Sequence, residues 1–308
     1  MELVELFHQW ALSLDSKQWL LFALFPFFLL TIAVEYWHYH ETDIYDIKDS
    51  CAGIVLGAGY LVFEVLFFAL FVWSVFDWAY QFRLLTIEIT PLSFLLLYII
   101  MDLLFYAYHF VAHHTRWFWA GHVVHHASEH MNFTTAMRQS PLYPLSAMWL
   151  FFMPATLLGF EREWIFFALA LNLSYQFFLH TQWIDRLPGA IEWLFNTPSH
   201  HRVHHGRNDR YVDRNFGGTL IIWDRLFGTF TPENPQEKPE YGITRQIYSF
   251  NPITLTFHEW RDMFRDMAEP GPWGLKLKHL WASPDWQRTQ SGNEQGRPNN
   301  ACLGGGTT

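Results

Sequence analysis

Nine histidines between His109 and His205 fall into three spaced groups with one member apart. The groups are His109-x3-His113, His122-x2-His125-His126 and His201-x2-His204-His205, and His180 stands alone between the second and third. Imidazole is a common ligand for iron, zinc and copper. Residues three and four apart share one face of a helix, so each group can point two or three ring nitrogens at one place. One zinc ion takes three or four protein ligands. Eight or nine imidazoles are too many for a single ion and fit two. A shell of imidazoles without thiolate suits iron, copper, nickel or zinc and argues against an iron–sulfur cluster. The HExxH signature of zinc peptidases is absent, because Val123 and Arg202 follow His122 and His201.

The elements that must position these rings are apolar. Of 308 residues 51% are hydrophobic and 19% aromatic, with 16 Trp and 30 Phe, and only 16% are charged. Soluble domains carry about 25% charge. The apolar residues are segregated into runs, and spans are expected at about 18–38, 52–76, 91–113, 143–160 and 163–181. The chain therefore reads as an all-α integral membrane protein with four to five transmembrane or membrane-embedded helices, its histidines gathered in a cap on one side. The last two runs are separated only by Gly159 to Glu163 and are expected to form a hairpin that goes out and returns. Arg116, Arg138, Arg186, Arg202 and Arg207 then lie with the histidines, and the excess of positive charge makes that side cytosolic. Glu2, Glu5 and Asp15 precede the first run, which reads as a retained span rather than a signal peptide. Residues 1–283 are expected to form one domain, with the metal motifs at 109–126 and 180–205. Residues 284–308 lack apolar periodicity and are expected to be disordered. Two cysteines supply no disulfide framework, and the charge of −9 leaves no basic patch for nucleic acid.

Other residues near the groups carry weaker signals. His114 and His200 adjoin expected ligands but point about 100° away on a helix, so they are expected to support or flank the site. His130 follows His126 by four, yet reads equally well as part of a polar cap. His8, His38, His40, His258 and His279 lie outside the groups and are expected at interfaces or surfaces. Glu64 sits inside an apolar run, where an ionisable group is costly and often functional. Asp102 lies seven residues before His109 on the same helical face and is expected to orient its ring. Asn215, in Arg-Asn-Phe-Gly-Gly, is a candidate for a hydrogen bond to metal-bound water or for a turn. Leu255, Phe257, Trp260 and Phe264 among charged neighbours suit a helix on a membrane surface.

The block WAGHVVHHASEHMNFTTAMRQSPL (119–142) and the block NTPSHHRVHHGRNDRYVDRNFGGTLIIWDRLFGTF (196–230) resemble the fatty acid hydroxylase and sterol desaturase superfamily of membrane di-iron enzymes. Within it they look like the alkylglycerol monooxygenase-like bacterial members, and the likeness runs from about residue 92 to 260. The resemblance implies two iron ions held by His109, His113, His122, His125, His126, His201, His204 and His205, with His180 matching an isolated histidine of the family. It also implies molecular oxygen, a lipid taken from the bilayer (ether lipid, sterol or fatty acyl chain), and a bacterial inner membrane with the site facing the cytoplasm. In the animal members a Glu directly follows the second histidine, a place held here by His114. Family reductants are tetrahydrobiopterin, cytochrome b5 or ferredoxin. The chain has no GxGxxG or CxxCH, so electrons are expected from outside. A desaturase of the same superfamily remains the alternative reaction. A membrane metal carrier would place ionisable groups within several spans, and a zinc hydrolase would need half these ligands.

Overall fold

The computed structural model describes residues 16–287, and among these every regular element is helical. Three isolated β-bridges tie loops together, including Phe195 with Leu220 and Gly206 with Tyr241. Helix α1 covers Ser16–Tyr39 and carries Pro26 within it. Helix α2, Ile47–Tyr80, starts at Asp46, whose carboxylate accepts from the Asp49 N–H at 2.8 Å. It relaxes into a π-turn at Phe68–Val72 and then resumes. Helix α3, Pro91–His114, opens on a reciprocal cap between Thr90 and Ser93 with Pro91 in the first turn. Both α2 and α3 are long and apolar enough to cross a membrane. Phe27, Leu30, Val62, Leu70, Trp78, Leu92 and Leu96 stand exposed along α1, α2 and α3. A surface so apolar is that of a chain seated in lipid.

The fourth expected span is not a continuous helix. Residues 143–158 form two short 3-10 turns, Tyr143–Ser146 and Met148–Phe152, and the helix Met153–Leu158. Ala147, at φ 65°, breaks the path between the two turns. Pro144 and Pro154 interrupt the backbone hydrogen bonds of this run, and its residues Trp149, Phe152 and Ala155 are spent on the core between α2, α3 and the next helix. The run that follows is α5, Arg162–Phe177, which packs on α1 and α3. The expected hairpin is thus a broken segment returning through one helix of 16 residues.

Between them, α4 (Arg116–His126) follows α3 after a single extended residue, Thr115 at φ −128° and ψ 117°. That corner folds α4 back so that it lies against the end of α3. Helix α6, Pro198–His204, begins at an extended Thr197 with proline in its first turn. The amphipathic α7 (Pro252–Ala268) and α8 (Trp273–Trp281) pack together and on α4. Helix α7 buries Leu255, Trp260 and Met263 and exposes Phe257 and Phe264, so the expected apolar positions are divided between two faces. The tail expected from 284 is described only as far as Gln287, and the rest lies outside the described residues.

Three of the five arginines counted for sidedness are interior. Arg116 pairs with Glu259 and Asp266, each at 2.7 Å, Arg138 with Asp49 at 2.7 Å, and Arg202 with Glu233 at 2.6 Å. They act as struts between segments, and their charge is already neutralised inside the fold. The sidedness argument keeps only Arg186 and Arg207 of that set.

Candidate metal centre

All nine expected ligands converge, and they form two clusters. His109, His113, His122, His126 and His204 make one, and His125, His180, His201 and His205 the other; within each, one ring nitrogen per residue lies within 4.8 Å of the others. All are buried. Helical periodicity explains the partition. On α4, His122 and His126 are four apart and share a face, while His125 is turned about 100° from its neighbour. On α6 and its C-cap, His201 and His205 pair in the same way and His204 turns to the other cluster. The second and third groups therefore do not each serve one place, as their spacing suggested. Each is split across both clusters and ties them together.

The inward ring nitrogens face one another at close range. His122 Nε2 lies 3.0 Å from His109 Nε2 and 3.1 Å from His126 Nε2. In the other cluster His180 Nε2 lies 3.1 Å from His125 Nε2 and 2.9 Å from His201 Nε2, which is 3.2 Å from His205 Nε2. Nitrogens bound at about 2.0–2.1 Å to one ion and at right angles are about 3.0 Å apart. His113 Nε2 and His204 Nε2 are buried with no hydrogen-bond partner, which is costly unless a cation takes the lone pair. The donor set fits two transition-metal ions.

The outer nitrogens fix which atom faces inward. His109 Nδ1 donates to Phe216 O at 2.9 Å, His180 Nδ1 to Gln176 O at 2.8 Å, His204 Nδ1 to Arg214 O at 3.0 Å, and His125 Nδ1 to Arg138 O at 3.2 Å. His113 Nδ1 donates to Asp213 Oδ1 at 3.2 Å. A proton committed to Nδ1 leaves the Nε2 lone pair for a metal. Burial holds His122, His126, His201, His204 and His205 well below the ordinary 6.5 and pushes His125 down to about 4. Neutral rings are the ligating form.

A model of the fatty acid hydroxylase family matches residues 94–229, the stretch that supplies all nine rings. The chain is 42% identical to alkylglycerol monooxygenase of Xenopus tropicalis over 203 residues, 64% of this chain and 43% of that protein. Residues 94–229 are thus similar to the fatty acid hydroxylase family. The human alkylglycerol monooxygenase is 43% identical over 188 residues, 60% of this chain and 41% of the relative. The ornithine lipid hydroxylase OlsE of Rhizobium tropici is 28% identical over 142 residues, 46% of this chain and 43% of the relative. The chain spans less than half the length of these relatives. No solved structure matches it.

The residues that support the rings differ from expectation. Asp102 does not reach His109. Seven residues of helix rise about 10 Å, and the Asp102 carboxylate is taken up elsewhere. It accepts from Thr219 N at 2.7 Å, Leu220 N at 3.1 Å, Trp223 Nε1 at 2.8 Å and Asn172 Nδ2 at 2.5 Å. It thereby holds the 216–223 turn, whose Phe216 carbonyl orients His109. Gly218 is required there, since a Cβ would sit 2.6 Å from Asn172 Oδ1 and 2.9 Å from Asp102 Oδ1. Asn215 bonds His200 O at 3.0 Å and Thr231 O at 2.8 Å and accepts from Thr231 N, so its side chain is a loop tie with no share in the metal site. His114 stacks on Phe110 at 4.0 Å and donates to Phe110 O, outside both clusters. His200 Nε2 lies 2.9 Å from Glu192 Oε2. Burial opposes ionisation of Glu192, but His200 and the donors Leu187 N and Ser199 Oγ overrule it and hold its carboxyl at about 2. His130 donates to Asp43 O and joins neither cluster.

Sequence reasoning missed Asp213, Asp224 and the four carbonyl partners. Asp213 sits at φ 57°, a conformation that costs an L-residue energy and clusters at functional sites. Asp224 accepts from Phe216 N and Gly217 N, each at 2.7 Å, and burial raises it to about 6. The one available signal was the polar content of RNDRYVDRN beside a histidine group. Carbonyl partners leave no side-chain signal at all.

Two cavities meet at the rings. One, of about 720 Å³, is lined mostly by apolar side chains of α1, α2 and α5 and by Trp149 and Phe152, and ends on His109, His122, His125, His180 and His201. Its rim residues Phe25, Leu61, Val65 and Leu173 are exposed on the apolar flank of the fold. The other, of about 190 Å³, reaches His113, His126, His204 and His205 from the opposite side and is walled by Arg207, Asp213, Arg245, Glu259 and Asp262.

Proposed function

We propose that this chain is a membrane-bound di-iron monooxygenase that hydroxylates a C–H bond of a lipid, with an alkylglycerol-type ether lipid as the substrate class named by its relatives. The observation that carries the reading is the pair of buried imidazole clusters at the closed end of a large apolar cavity. Five rings would hold one ion and four the other. Iron bound there would supply the activation of molecular oxygen needed to oxidise an unactivated C–H bond. The reaction is R–H + O2 + 2e⁻ + 2H⁺ → R–OH + H2O, and on a carbon beside an ether oxygen the product collapses to an aldehyde and an alcohol.

The chain's own residues perform the rest. Leu61, Val65 and Leu173 admit an alkyl chain sideways from lipid. Phe105, Phe152, Phe166 and Leu169 exclude water along its length. The carbonyls of Phe216, Gln176, Arg138 and Arg214 keep the rings neutral and aimed. Electrons enter from the polar pocket on the opposite face, supplied by a reduced pterin, a cytochrome b5 or a ferredoxin. The site faces the cytoplasm of a bacterial inner membrane. The test is purified protein supplied with alkylglycerol, ¹⁸O2 and one donor system at a time. Label in a hydroxylated lipid or in the released aldehyde supports the reading. A new double bond without label makes the chain a desaturase, and product formed under strict anaerobiosis overturns the oxygenase reading.

A further inference from the structure

Glu64 lies on α2 inside the lipid cavity, buried, with the Tyr60 hydroxyl donating to its Oε1 at 2.8 Å. Among the described residues that line this cavity it is the single carboxylate, and no Lys or Arg is among them. A carboxylate at membrane depth is expensive and is retained where it does something. Immediately after it the helix widens into the π-turn Phe68–Val72, and the Phe68 N–H reaches the carbonyls of Glu64 and Val65. Such widened turns recur at functional sites, where they re-aim the side chains beside them. Tyr143 stands between this spot and the metal rings, its ring centroid 6.1 Å from Tyr60 and 6.1 Å from His122. Tyr108 donates to the Tyr143 hydroxyl. The cavity therefore has two polar ends of different character, one metal-binding and one anionic, separated by a phenol.

We infer that Glu64, supported by Tyr60, is a specificity-determining residue that accepts a hydrogen bond from a hydroxyl group of the lipid, and that it turns away lipids presenting a phosphate or carboxylate at that depth. The inference rests on the lipid-oxygenase reading and deepens it. A carboxylate offers about four acceptor positions, so a ligand donor can be added to the bonds it already makes. Phosphates and carboxylates bring the wrong charge, and among the described residues nothing cationic lines the cavity to receive them. Hydroxyls fit because they lose little on leaving water when a charged acceptor meets them.

The test is equilibrium binding to the full-length holoenzyme in lipid nanodiscs, without oxygen or electron donor, so no turnover intrudes. The probes are a saturated alkylglycerol with free hydroxyls, its di-O-methyl ether, and the corresponding lysophosphatidate. Wild-type protein is expected to prefer the free-hydroxyl lipid over its methyl ether by on the order of tenfold or more, the range of a charge-assisted hydrogen bond. Glu64→Leu brings that ratio close to one. Glu64→Gln, nearly isosteric and neutral, lowers it severalfold and improves binding of the lysophosphatidate. Thermal unfolding and metal content of each variant are measured alongside, and if Glu64→Leu does not fold the Glu64→Gln ratio decides. An unchanged ratio in the folded variants, or no preference in the wild type, overturns the inference, because a purely structural carboxylate alters stability and leaves the ratio untouched. Absence of oxygenated product in the ¹⁸O2 assay would instead count against the oxygenase reading, with the binding ratio unaffected.

Discussion

Asp102→Asn separates two accounts of the same buried carboxylate. In the structure each Asp102 oxygen receives two donors, Thr219 N and Asn172 Nδ2 at Oδ1, and Leu220 N and Trp223 Nε1 at Oδ2. Asparagine keeps one acceptor and places an NH2 group where the other pair of donors converges. Two buried donors then lose their partner, at about 1–3 kcal/mol each, so the variant is expected to lose about 4 kcal/mol. That is a large share of a typical stability of about 5–15 kcal/mol and lowers the unfolding midpoint by on the order of 10 °C. The assay is thermal unfolding in nanodiscs with metal content measured on the same sample. At low temperature, where the fold survives, metal content stays close to wild type, because Asp102 acts on the 216–223 turn and touches no ring. Loss of metal with an unchanged unfolding midpoint would refute this reasoning and restore Asp102 as a direct partner of His109.

Three further outcomes follow from the clusters. His125→Ala and His204→Ala each remove a ligand from a different cluster, so each should lower metal content toward one ion per chain by elemental analysis, and activity should be lost in both. His114→Ala leaves both clusters intact and should retain full metal, while any fall in activity stays within about 10- to 100-fold; loss of metal would show that the first group is wired differently. The pH response of metal-free protein follows from the lowered histidines. Their folded values lie below the unfolded 6.5, so the stability they contribute is present above pH 6.5 and is lost as pH falls toward the value of about 4 at His125. Each contributes up to about 1.4 kcal/mol per pH unit, so the metal-free chain should unfold between about pH 6.5 and 5 by circular dichroism, and bound metal should move that transition to lower pH.

Much of the chemistry was written in residue type and spacing. Two histidine triplets at i, i+3 and i+4 and a pair at i, i+4 pointed to a two-ion site, because three such groups have few other reasons to fall in under a hundred residues. The all-helical class followed from apolar runs too long and too continuous for anything else, and α2 and α3 bear it out as helices of spanning length. Local patterns could not decide which ring belongs to which ion. His125 and His126 are adjacent in sequence, yet a 100° turn sends them to different clusters, and that depends on where α3, α5 and α6 stand. The run at 143–158 has the composition of a span, but Pro144, Pro154 and the core beneath it break it into turns. Asp102 shares a helical face with His109, yet face-sharing says nothing of the 216–223 turn that arrives from more than a hundred residues away to take its oxygens. Arg116 and Arg138 counted toward sidedness by charge alone, and the fold brings them the partners Glu259 and Asp49. Side-chain type and periodicity set what each residue is able to do. Long-range packing decides which partner it meets, because buried charges and donors bind whatever the fold places within reach.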